Sequence, residues 1–236
     1  MVLTGSGISA ESGLPTFRGI GGLWRTHRVE ELASPEGFAS DPQLVWTWYN
    51  ERREAHKSAQ PNAGHLAIAA IERRCEDFTL ATQNVDSLHL RAGSCNVLEL
   101  HGNLREARCT RCNTRRSIEN GLPLGEIDHD CGGAFRPDIV WFGEGLDQGI
   151  WAVAVEAAER AEVLLVVGTS GMVNPAAALA THFARDAFVA EINPEETVIS
   201  PFCKVTIREP AALALPRIAE KVGYGPRRSG GPLSSS

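Results

Sequence analysis

The sequence lacks a long hydrophobic run and lacks any block of basic residues. No apolar stretch in the 236 residues approaches the roughly 18 residues that a membrane-spanning helix needs. The 29 acidic and 23 basic residues give a net charge of −6, with no basic and aromatic residues interleaved as nucleic-acid binding requires. No signal-peptide pattern is present. We therefore expect a cytoplasmic protein with neither a membrane partner nor a direct nucleic-acid partner.

The composition is that of a globular protein, with 43% hydrophobic and 22% charged residues. A chain of 236 residues can form one large domain that carries a smaller one. Six cysteines without an export signal favour metal binding, core packing or catalysis over a disulfide framework. The Pro-, Gly- and Ser-rich tail at 225–236 is predicted to be disordered.

Apolar runs alternate with helical patterns along most of the chain. A short strand at 2–4 is followed by strand-like runs at 78–83, 97–100, 139–142, 163–167, 188–192 and 205–207. Helical patterns lie at 42–57, 62–74, 147–161, 175–185 and 210–222. Several of the apolar runs are nearly continuous, which is typical of strands that are covered on both faces. This order predicts an α/β fold with a parallel sheet.

Two segments interrupt the alternation and predict an inserted small domain. Residues 19–60 combine a loop with a helix, and residues 105–135 are rich in Cys, Arg and Gly. We therefore expect a Rossmann-like large domain made of the remaining segments, 1–18, 61–104 and 136–224. The small domain would be part helical and part metal-binding.

A glycine-rich turn follows the first strand. Residues 5–10, Gly-Ser-Gly-Ile-Ser-Ala, have the G-x-G-x-x-A spacing that lets bare backbone approach a pyrophosphate. Alone, the pattern fits an ordinary tight turn equally well. A dehydrogenase would place an acidic strand end about 20 residues further on, whereas this chain has a loop there. The turn thus predicts nucleotide binding for a reaction other than hydride transfer.

Polar residues follow several of the predicted strands. Gln83, Asn84 and Asp86 follow one strand, and His101 follows the next. The carboxyl ends of parallel strands form one crevice, where His101 could act as a general base. A lone histidine is more often a core or solvated residue, which is our interpretation of the other histidines considered: His27, His56, His89 and His182. Two further strands end in segments that suit ribose and adenine, although each alone is more simply a turn: Gly168-Thr169-Ser170 and Asn193-Pro194-Glu195.

Three cysteines have the spacing of a structural zinc site. Cys109 and Cys112 form a C-x-x-C pair, and Cys131 precedes two glycines. A complete second pair would need a cysteine at 128, where Asp128 stands beside His129. We expect one structural zinc per chain, with Asp128 or His129 as the fourth ligand. A metal-free knuckle is the alternative.

Taken together, these segments resemble the sirtuin family of NAD-dependent protein-lysine deacylases, from Val2 to about Val222. Seven motifs carry the resemblance, in this order: GSGISAESGLPTFRG, QNVD, ELHG, CxxC, RPDIVWFGE, GTSGMVNPAA and INPE. The resemblance implies a Rossmann-like large domain and a small zinc-binding and helical domain. It also implies that NAD and an acyl-lysine peptide or protein meet in the cleft between them.

The resemblance also implies roles for individual residues. His101 would be the catalytic base, with Asn84 and Asp86 in the nicotinamide pocket. The other cofactor-binding residues would be Gly5, Ser6, Gly7, Ser9, Ala10, Thr16, Phe17, Arg18, Gln83, Gly168, Thr169, Ser170, Asn193, Glu195 and Ala211. The substrate peptide would add a strand beside Val140, Phe142, Gly143 and Glu144. The products would be free lysine, nicotinamide and O-acyl-ADP-ribose.

One helix refines the expected substrate. Tyr49 and Arg52 are three residues apart, hence on one helix face, and they resemble the acidic-acyl signature of the desuccinylase branch. Thr16 resembles that branch as well. Without the family context, a core tyrosine and a solvated arginine would be the simpler interpretation. We therefore expect removal of succinyl- or malonyl-type groups, and also of acetyl groups.

Several alternatives stay open at this point. A plain deacetylase or a mono-ADP-ribosyltransferase would use the same NAD chemistry. The complete set of Asn84, Asp86 and His101 argues against a non-catalytic NAD-sensing module. The chain departs from the family pattern at Ser6, which replaces an alanine, at Asp128, which replaces a cysteine, and at Glu209, which stands where glycine is common.

Overall fold

The structure, a computed structural model, describes residues 1–16, 23–24 and 27–222. The strands within these residues are β1 (Val2–Thr4), β2 (Leu23–Trp24), β3 (His27–Arg28), β4 (Leu80–Thr82), β5 (Val97–Glu99), β6 (Gly102–Cys109), β7 (Arg115–Ser117), β8 (Phe135–Ile139), β9 (Val163–Val167), β10 (Phe188–Ile192) and β11 (Val205–Ile207). The α-helices are α1 (Val29–Leu32), α2 (Pro35–Ser40), α3 (Pro42–Ser58), α4 (Ala63–Glu72), α5 (Leu88–Arg91), α6 (Gln148–Arg160) and α7 (Ala211–Lys221). Shorter helical turns are the 3₁₀ segments Ser6–Ser12, Leu124–Glu126 and Ser200–Phe202 and a π-helical turn at Leu179–Phe183.

Six strands form a parallel sheet in the order β11-β10-β9-β1-β4-β5. Successive residues of a strand face opposite sides of a sheet, and the core follows that rule. Leu3 belongs to a hydrophobic cluster with α6, whereas its neighbour Val2 belongs to a cluster with α4 and α7. Helices therefore cover both faces, which confirms the predicted Rossmann-like parallel sheet.

A second, antiparallel sheet has the order β7-β6-β8. Its core is shared with α2 and α3, where Trp46 and Tyr49 pack with Leu104 and Phe135. The indole Nε1 of Trp46 donates a hydrogen bond to the carbonyl oxygen of Phe135, at 2.8 Å. The helices α2 and α3 and the antiparallel sheet therefore share one hydrophobic core. The predicted domain boundaries stay a prediction.

Three elements differ from the expected ones. The strand expected at 139–142 ends at Ile139, because β8 pairs with β6 and the chain then turns toward His101. The expected helix at 175–185 is reduced to turns and one π-helical turn. The alanines of this segment are spaced by their burial in the core and do not form a regular α-helix. The glycine turn opens a 3₁₀ helix, and the Gly7 N–H donates to Gly168 O instead of to a helical partner.

None of the helices in the described ranges is both long enough and apolar enough to cross a membrane.

Candidate active site

A cavity of about 250 Å³ lies between the two sheets. It opens where the chain leaves β1, β4 and β5, and its opposite wall comes from α3 and the segment after β8. We call it the cleft. The cleft brings together many of the predicted site residues: Ser6, Ser9, Tyr49, Arg52, Gln83, Asn84, Asp86, His101, Val140, Phe142, Gly143 and Glu144.

The glycines of the first turn pack against a second glycine turn. The Gly5 N–H donates to Val167 O at 3.0 Å, and the Gly7 N–H donates to Gly168 O at 2.8 Å. A Cβ atom on Gly7 would lie 2.7 Å from Gly168 Cα, and one on Gly168 would lie 2.4 Å from Ile8 N. Gly168 also has a φ of +60°, which favours glycine. Glycine is therefore needed in both turns because the two backbones pack directly against each other. The G-x-G-x-x-A spacing of the first turn is typical of turns that bind dinucleotide phosphates.

Asn84, Ser9 and Asp86 form one buried hydrogen-bonded group. The side-chain amide of Asn84 donates to Gly5 O at 3.1 Å and to Ser9 Oγ at 3.2 Å. Ser9 Oγ donates in turn to Asp86 Oδ2 at 2.7 Å. Asp86 Oδ1 accepts from the backbone N–H of Leu88 at 2.9 Å. These contacts hold an amide and a carboxylate rigidly beside the glycine turn.

His101 follows β5 and lies on the same side of the cleft as that group. Its Nδ1 is 3.0 Å from the carbonyl oxygen of Gln83. A carbonyl oxygen can only accept, so Nδ1 carries the proton and Nε2 of the neutral ring keeps a lone pair. Burial lowers the pKa of His101, more than the hydrogen bond to Gln83 raises it. The imidazole is therefore neutral at pH 7 and suited to accept a proton at Nε2.

The residues predicted to contact adenosine do not line the cleft, but they lie next to it, beyond Gln83. Gln83 Nε2 donates to Thr169 Oγ1 at 2.9 Å, and Asn193 Nδ2 donates to Thr169 O at 3.0 Å. The Glu195 N–H donates to Asn193 Oδ1 at 3.2 Å, and Ser170 Oγ accepts from Met172 N at 3.3 Å. The carboxyl ends of β9 and β10 therefore present these groups beside the glycine turns.

Other predicted cofactor residues are less central. Ala211 is buried at the start of α7, Ala10 is exposed, and Thr16 is absent from the cleft lining. Phe17 and Arg18 lie outside the described residues.

The wall opposite His101 is built on α3. Asp41 caps the first turn of this helix, accepting from Leu44 N at 2.9 Å, and Pro42 starts it. Tyr49 is fully buried and its hydroxyl accepts from Trp141 Nε1 at 2.8 Å. Burial raises the pKa of Tyr49 to about 12, so the phenol stays protonated and keeps an O–H to donate. The half-buried Arg52 guanidinium lies 4.9 Å from the centre of the Trp48 ring.

The segment after β8 forms the floor of the cleft. Val140 N donates to His101 O and Phe142 N to Ala33 O, each at 3.0 Å. Phe142 is 51% exposed, and a side chain at Gly143 would meet open space. Glu144 lines the cleft, but its carboxylate forms an ion pair with Arg136 and accepts from Trp141 N at 2.9 Å. In this structure Glu144 therefore braces the segment.

Four donor atoms converge at the end of the antiparallel sheet. The ligand atoms of Cys109, Cys112, His129 and Cys131 all lie within 4.8 Å of one another. His129 Nδ1 is 3.1 Å from Cys131 Sγ and 3.6 Å from Cys112 Sγ. Three sulfurs and one imidazole nitrogen are a donor set that suits tetrahedral zinc. Of the two candidates for the fourth ligand, the structure selects His129, since Asp128 is outside the group and bridges to Ala134.

Sequence reasoning missed other residues of the site. His65, in the first turn of α4, is fully buried, with Nε2 3.4 Å from Ser9 Oγ. The centre of its ring lies 4.9 Å from that of His89, at an angle of 58° between the ring planes. The Asn62–His65 capping box that starts α4 was the available signal. His56, interpreted as a core or solvated residue, lines the cleft. Apolar residues from distant segments also line the cleft, and no sequence pattern indicated this: Val29, Ala33 and Val173.

Comparison with known proteins agrees with this architecture. The model of the Sir2 family matches residues 5–175. NAD-dependent protein deacylase 2 of Pyrobaculum aerophilum is 50% identical over 227 residues, which cover 94% of this chain and 90% of that protein. The NAD-dependent protein deacylase of Aquifex aeolicus is 48% identical, with 92% of each chain covered.

Solved structures give the same result. The crystal structure of a Sir2 homologue–NAD complex superposes with a TM-score of 0.88 at 45% identity, covering 94% of this chain and 88% of that one. A mutant Sir2 homologue in complex with 2′-O-acetyl-ADP-ribose has a TM-score of 0.87 at 45% identity, covering 94% and 90%. The chain belongs to the Sir2 family, and the predicted sirtuin resemblance is confirmed.

Proposed function

We propose that this protein is an NAD-dependent protein-lysine deacylase that prefers succinyl- and malonyl-type acyl groups and also removes acetyl groups. The observation that supports the proposal is that a histidine and a tyrosine–arginine pair line opposite walls of one cleft. On one wall stands His101, with Nε2 able to accept a proton. On the other stand Tyr49 and Arg52, two donors that suit a carboxylate.

The family's cosubstrate suits the residues on the first wall. NAD, when bound, supplies a nicotinamide leaving group and an ADP-ribose that accepts the acyl group. The glycine turn at residues 5–10 has the spacing of a pyrophosphate-binding turn, and it packs closely against the turn at Gly168. Asn84 and Asp86 are positioned to line the nicotinamide end, since both are held beside that backbone by Ser9.

His101 supplies the proton transfer. Because Nδ1 is engaged with Gln83 O, the ring is oriented with Nε2 as its only lone pair. With NAD bound and nicotinamide displaced by the acyl oxygen, that nitrogen would be positioned to accept a proton from the ribose hydroxyl to which the acyl group is transferred. The lowered pKa of His101, caused chiefly by burial, keeps the ring in its basic form at neutral pH.

The second wall supports the acidic-acyl preference. A succinyl group ends in a carboxylate, which loses its hydration on entering a mostly apolar cavity. The Tyr49 hydroxyl already accepts from Trp141, so its own hydrogen is directed toward another acceptor. The Arg52 guanidinium lies on the same helix face, flanked by the Trp48 and Tyr49 rings. Together they replace the lost hydration with charge-assisted hydrogen bonds.

The test is a product analysis with matched peptides. The protein is incubated with NAD and one peptide sequence that carries an acetyl-, malonyl-, succinyl-, glutaryl- or unmodified lysine, and the products are identified by mass. We expect nicotinamide release only with acylated peptides, one O-acyl-ADP-ribose per lysine freed, and the highest kcat/KM with succinyl or malonyl.

Other outcomes decide against parts of the proposal. A preference for acetyl-lysine would favour a plain deacetylase. ADP-ribose attached to the peptide, without O-acyl-ADP-ribose, would favour mono-ADP-ribosylation.

A further inference from the structure

One stripe of α3 places three polar side chains in the cleft. Tyr49, Arg52 and His56 are spaced by three and four residues, which puts them on one face of the helix. All three line the cleft. Tyr49 is fully buried, whereas Arg52 and His56 keep accessible surface, so a molecule in the cleft can contact them. His56 is the member of this stripe to which the proposed function gives no part.

One nitrogen of the His56 ring is already engaged. Nδ1 lies 2.5 Å from the carbonyl oxygen of Arg52, one turn earlier in the helix. A carbonyl oxygen only accepts, so Nδ1 carries a proton in the neutral ring as well as in the charged ring. Nε2 makes no hydrogen bond within the described part of the chain. This nitrogen therefore accepts a hydrogen bond when the ring is neutral and donates one when the ring is protonated.

Opposing effects act on the charge of this ring. Burial lowers the pKa of His56, and so does the Arg52 guanidinium. The bond to Arg52 O and the Asp86 carboxylate act in the other direction, but the pKa stays below the ordinary value of 6.5. With no anion in the cleft, the ring is therefore mostly neutral at pH 7. An anion beside Nε2 would favour the charged form, because a nearby opposite charge raises the pKa of a histidine.

The remaining charged groups around His56 lie in a second cavity, of about 540 Å³, which shares His56, Val85 and Asp86 with the cleft. They are Arg53, Lys57, Arg91, Arg105 and Glu119. Lys57 is paired with Glu54 at 3.0 Å and Arg105 with Glu99 at 2.5 Å. Arg91 donates to the His56 carbonyl oxygen at 3.2 Å and to Gln60 Oε1 at 3.3 Å. These groups are the same whichever acyl group enters the cleft, so they do not contribute to a difference between acyl groups.

We propose that His56 recognises, together with Arg52, the carboxylate of an acidic acyl-lysine, and that its Nε2 takes up one proton from solvent to do so. Side chains four residues apart on a helix have Cβ atoms about 5–6 Å apart, so the two oxygens of one carboxylate can pair with the guanidinium and the imidazolium. An acetyl group has no carboxylate and leaves the ring neutral. The proposal rests on the acyl pocket of the proposed function. It adds proton uptake, which should make the affinity for succinyl peptides rise as the pH falls.

The test is titration calorimetry with one peptide sequence that carries succinyl- or acetyl-lysine, without NAD so that no turnover occurs. At pH 7 each titration is made in PIPES and in Tris, whose ionisation enthalpies differ, and the difference in heat counts the protons taken up. We expect uptake of up to one proton with the succinyl peptide and none with the acetyl peptide. Between pH 8 and pH 6, the Kd for the succinyl peptide should fall by about tenfold relative to the Kd for the acetyl peptide.

Variants then assign the proton to one side chain. His56→Asn keeps an amide N–H near the position of Nδ1 and removes Nε2, so it should abolish both the proton uptake and the pH dependence of the Kd ratio. His56→Lys carries a charge throughout this pH range, so it should bind the succinyl peptide tightly at pH 8 as well, without proton uptake. His182→Asn is the matched control, because His182 is exposed outside the cleft lining and should leave all of these values unchanged.

Several results would overturn the proposal. One is equal proton uptake with the two peptides in the wild type. Another is succinyl-specific uptake that persists in His56→Asn, since the proton would then be on another group, such as the acyl carboxylate. If His56→Asn does not fold, a pH dependence like that of the wild type in His56→Lys decides against the proposal. Binding is measured without turnover, so a missing deacylase activity would contradict the proposed function and leave this test intact.

Discussion

The two walls of the cleft are built in different ways. On the parallel-sheet side, Asn84, Asp86 and His101 are held by hydrogen bonds to backbone groups, and Ser9 links Asn84 to Asp86. On the side of α3 and the antiparallel sheet, Tyr49 and Arg52 lie among aromatic rings, and the one side-chain hydrogen bond described for Tyr49 comes from the Trp141 indole. The first arrangement fixes the polar groups needed for any acyl substrate. The second shapes the space that the acyl chain enters, so catalysis and acyl selectivity should be separable by mutation.

The strongest test of this separation is His101→Ala on the parallel-sheet side. Loss of a general base should lower kcat/KM by about 10²–10⁴-fold for every acyl peptide, because the base acts on the ribose and not on the acyl chain. NAD affinity, measured by calorimetry, should change little. The exposed-histidine variant His182→Ala serves as the control. Wild-type turnover by His101→Ala would remove His101 from the mechanism.

The matching test on the other wall is Arg52→Met. A charge-assisted hydrogen bond is worth roughly 1.5–3 kcal/mol, so kcat/KM for the succinyl peptide should fall by about 10–150-fold. The acetyl peptide should be affected little, since the acetyl group has no carboxylate to pair with the guanidinium. Steady-state kinetics with both peptides measure the ratio.

Two further variants sharpen this result. Arg52→Lys, which keeps the charge but not the planar fork, should lie between wild type and Arg52→Met. Tyr49→Phe should act in the same direction less strongly. An equal loss on both peptides in Arg52→Met would contradict the acidic-acyl assignment.

A third prediction concerns the metal end of the antiparallel sheet. Elemental analysis should find one zinc per chain, held by the group of three cysteines and His129. His129→Ala should lose zinc to a weak chelator under conditions in which the wild type keeps it, and Asp128→Ala should keep it. Zinc loss from Asp128→Ala but not from His129→Ala would reverse the ligand assignment. Zinc-free protein with an unchanged fold would contradict the site itself.

The parallel-sheet side also contains two buried histidines whose titration affects stability. Burial lowers the pKa of His65 to about 4 and that of His89 to about 3. The unfolded chain, with histidine pKa values near 6.5, binds more protons below that pH. Stability should therefore be lost as the pH falls below about 6.5, by about 1.4 kcal/mol per pH unit for each histidine.

Urea unfolding between pH 6.5 and 5 measures this slope, in a range where most carboxyl groups are still ionised. His89→Asn should reduce the slope by the contribution of one histidine, about 1.4 kcal/mol per pH unit. An unfolding free energy that stays constant across this range would show that the two rings are not held in the neutral form.

Much of the parallel-sheet side could be predicted because its signals are local. Near-continuous apolar runs predict strands buried on both faces, and the first residues after such strands meet at one edge of the sheet. That rule alone brought Gln83, Asn84 and His101 beside the glycine turn. The direction of β8 was not predictable in this way, because pairing with β6 depends on residues that are about 30 positions apart.

What the sequence determined by itself is the parallel sheet, the backbone turn at Gly5 and Gly7, and the identity of the polar groups at the strand ends. Only the tertiary structure decided between Asp128 and His129, because adjacent side chains on an extended segment face opposite sides. It likewise separated Arg52 from Arg53. Neighbours on a helix point about 100° apart, so Arg52 lines the cleft and Arg53 lines a second cavity. Which arginine faces the cleft depends on how α3 packs against the rest of the molecule.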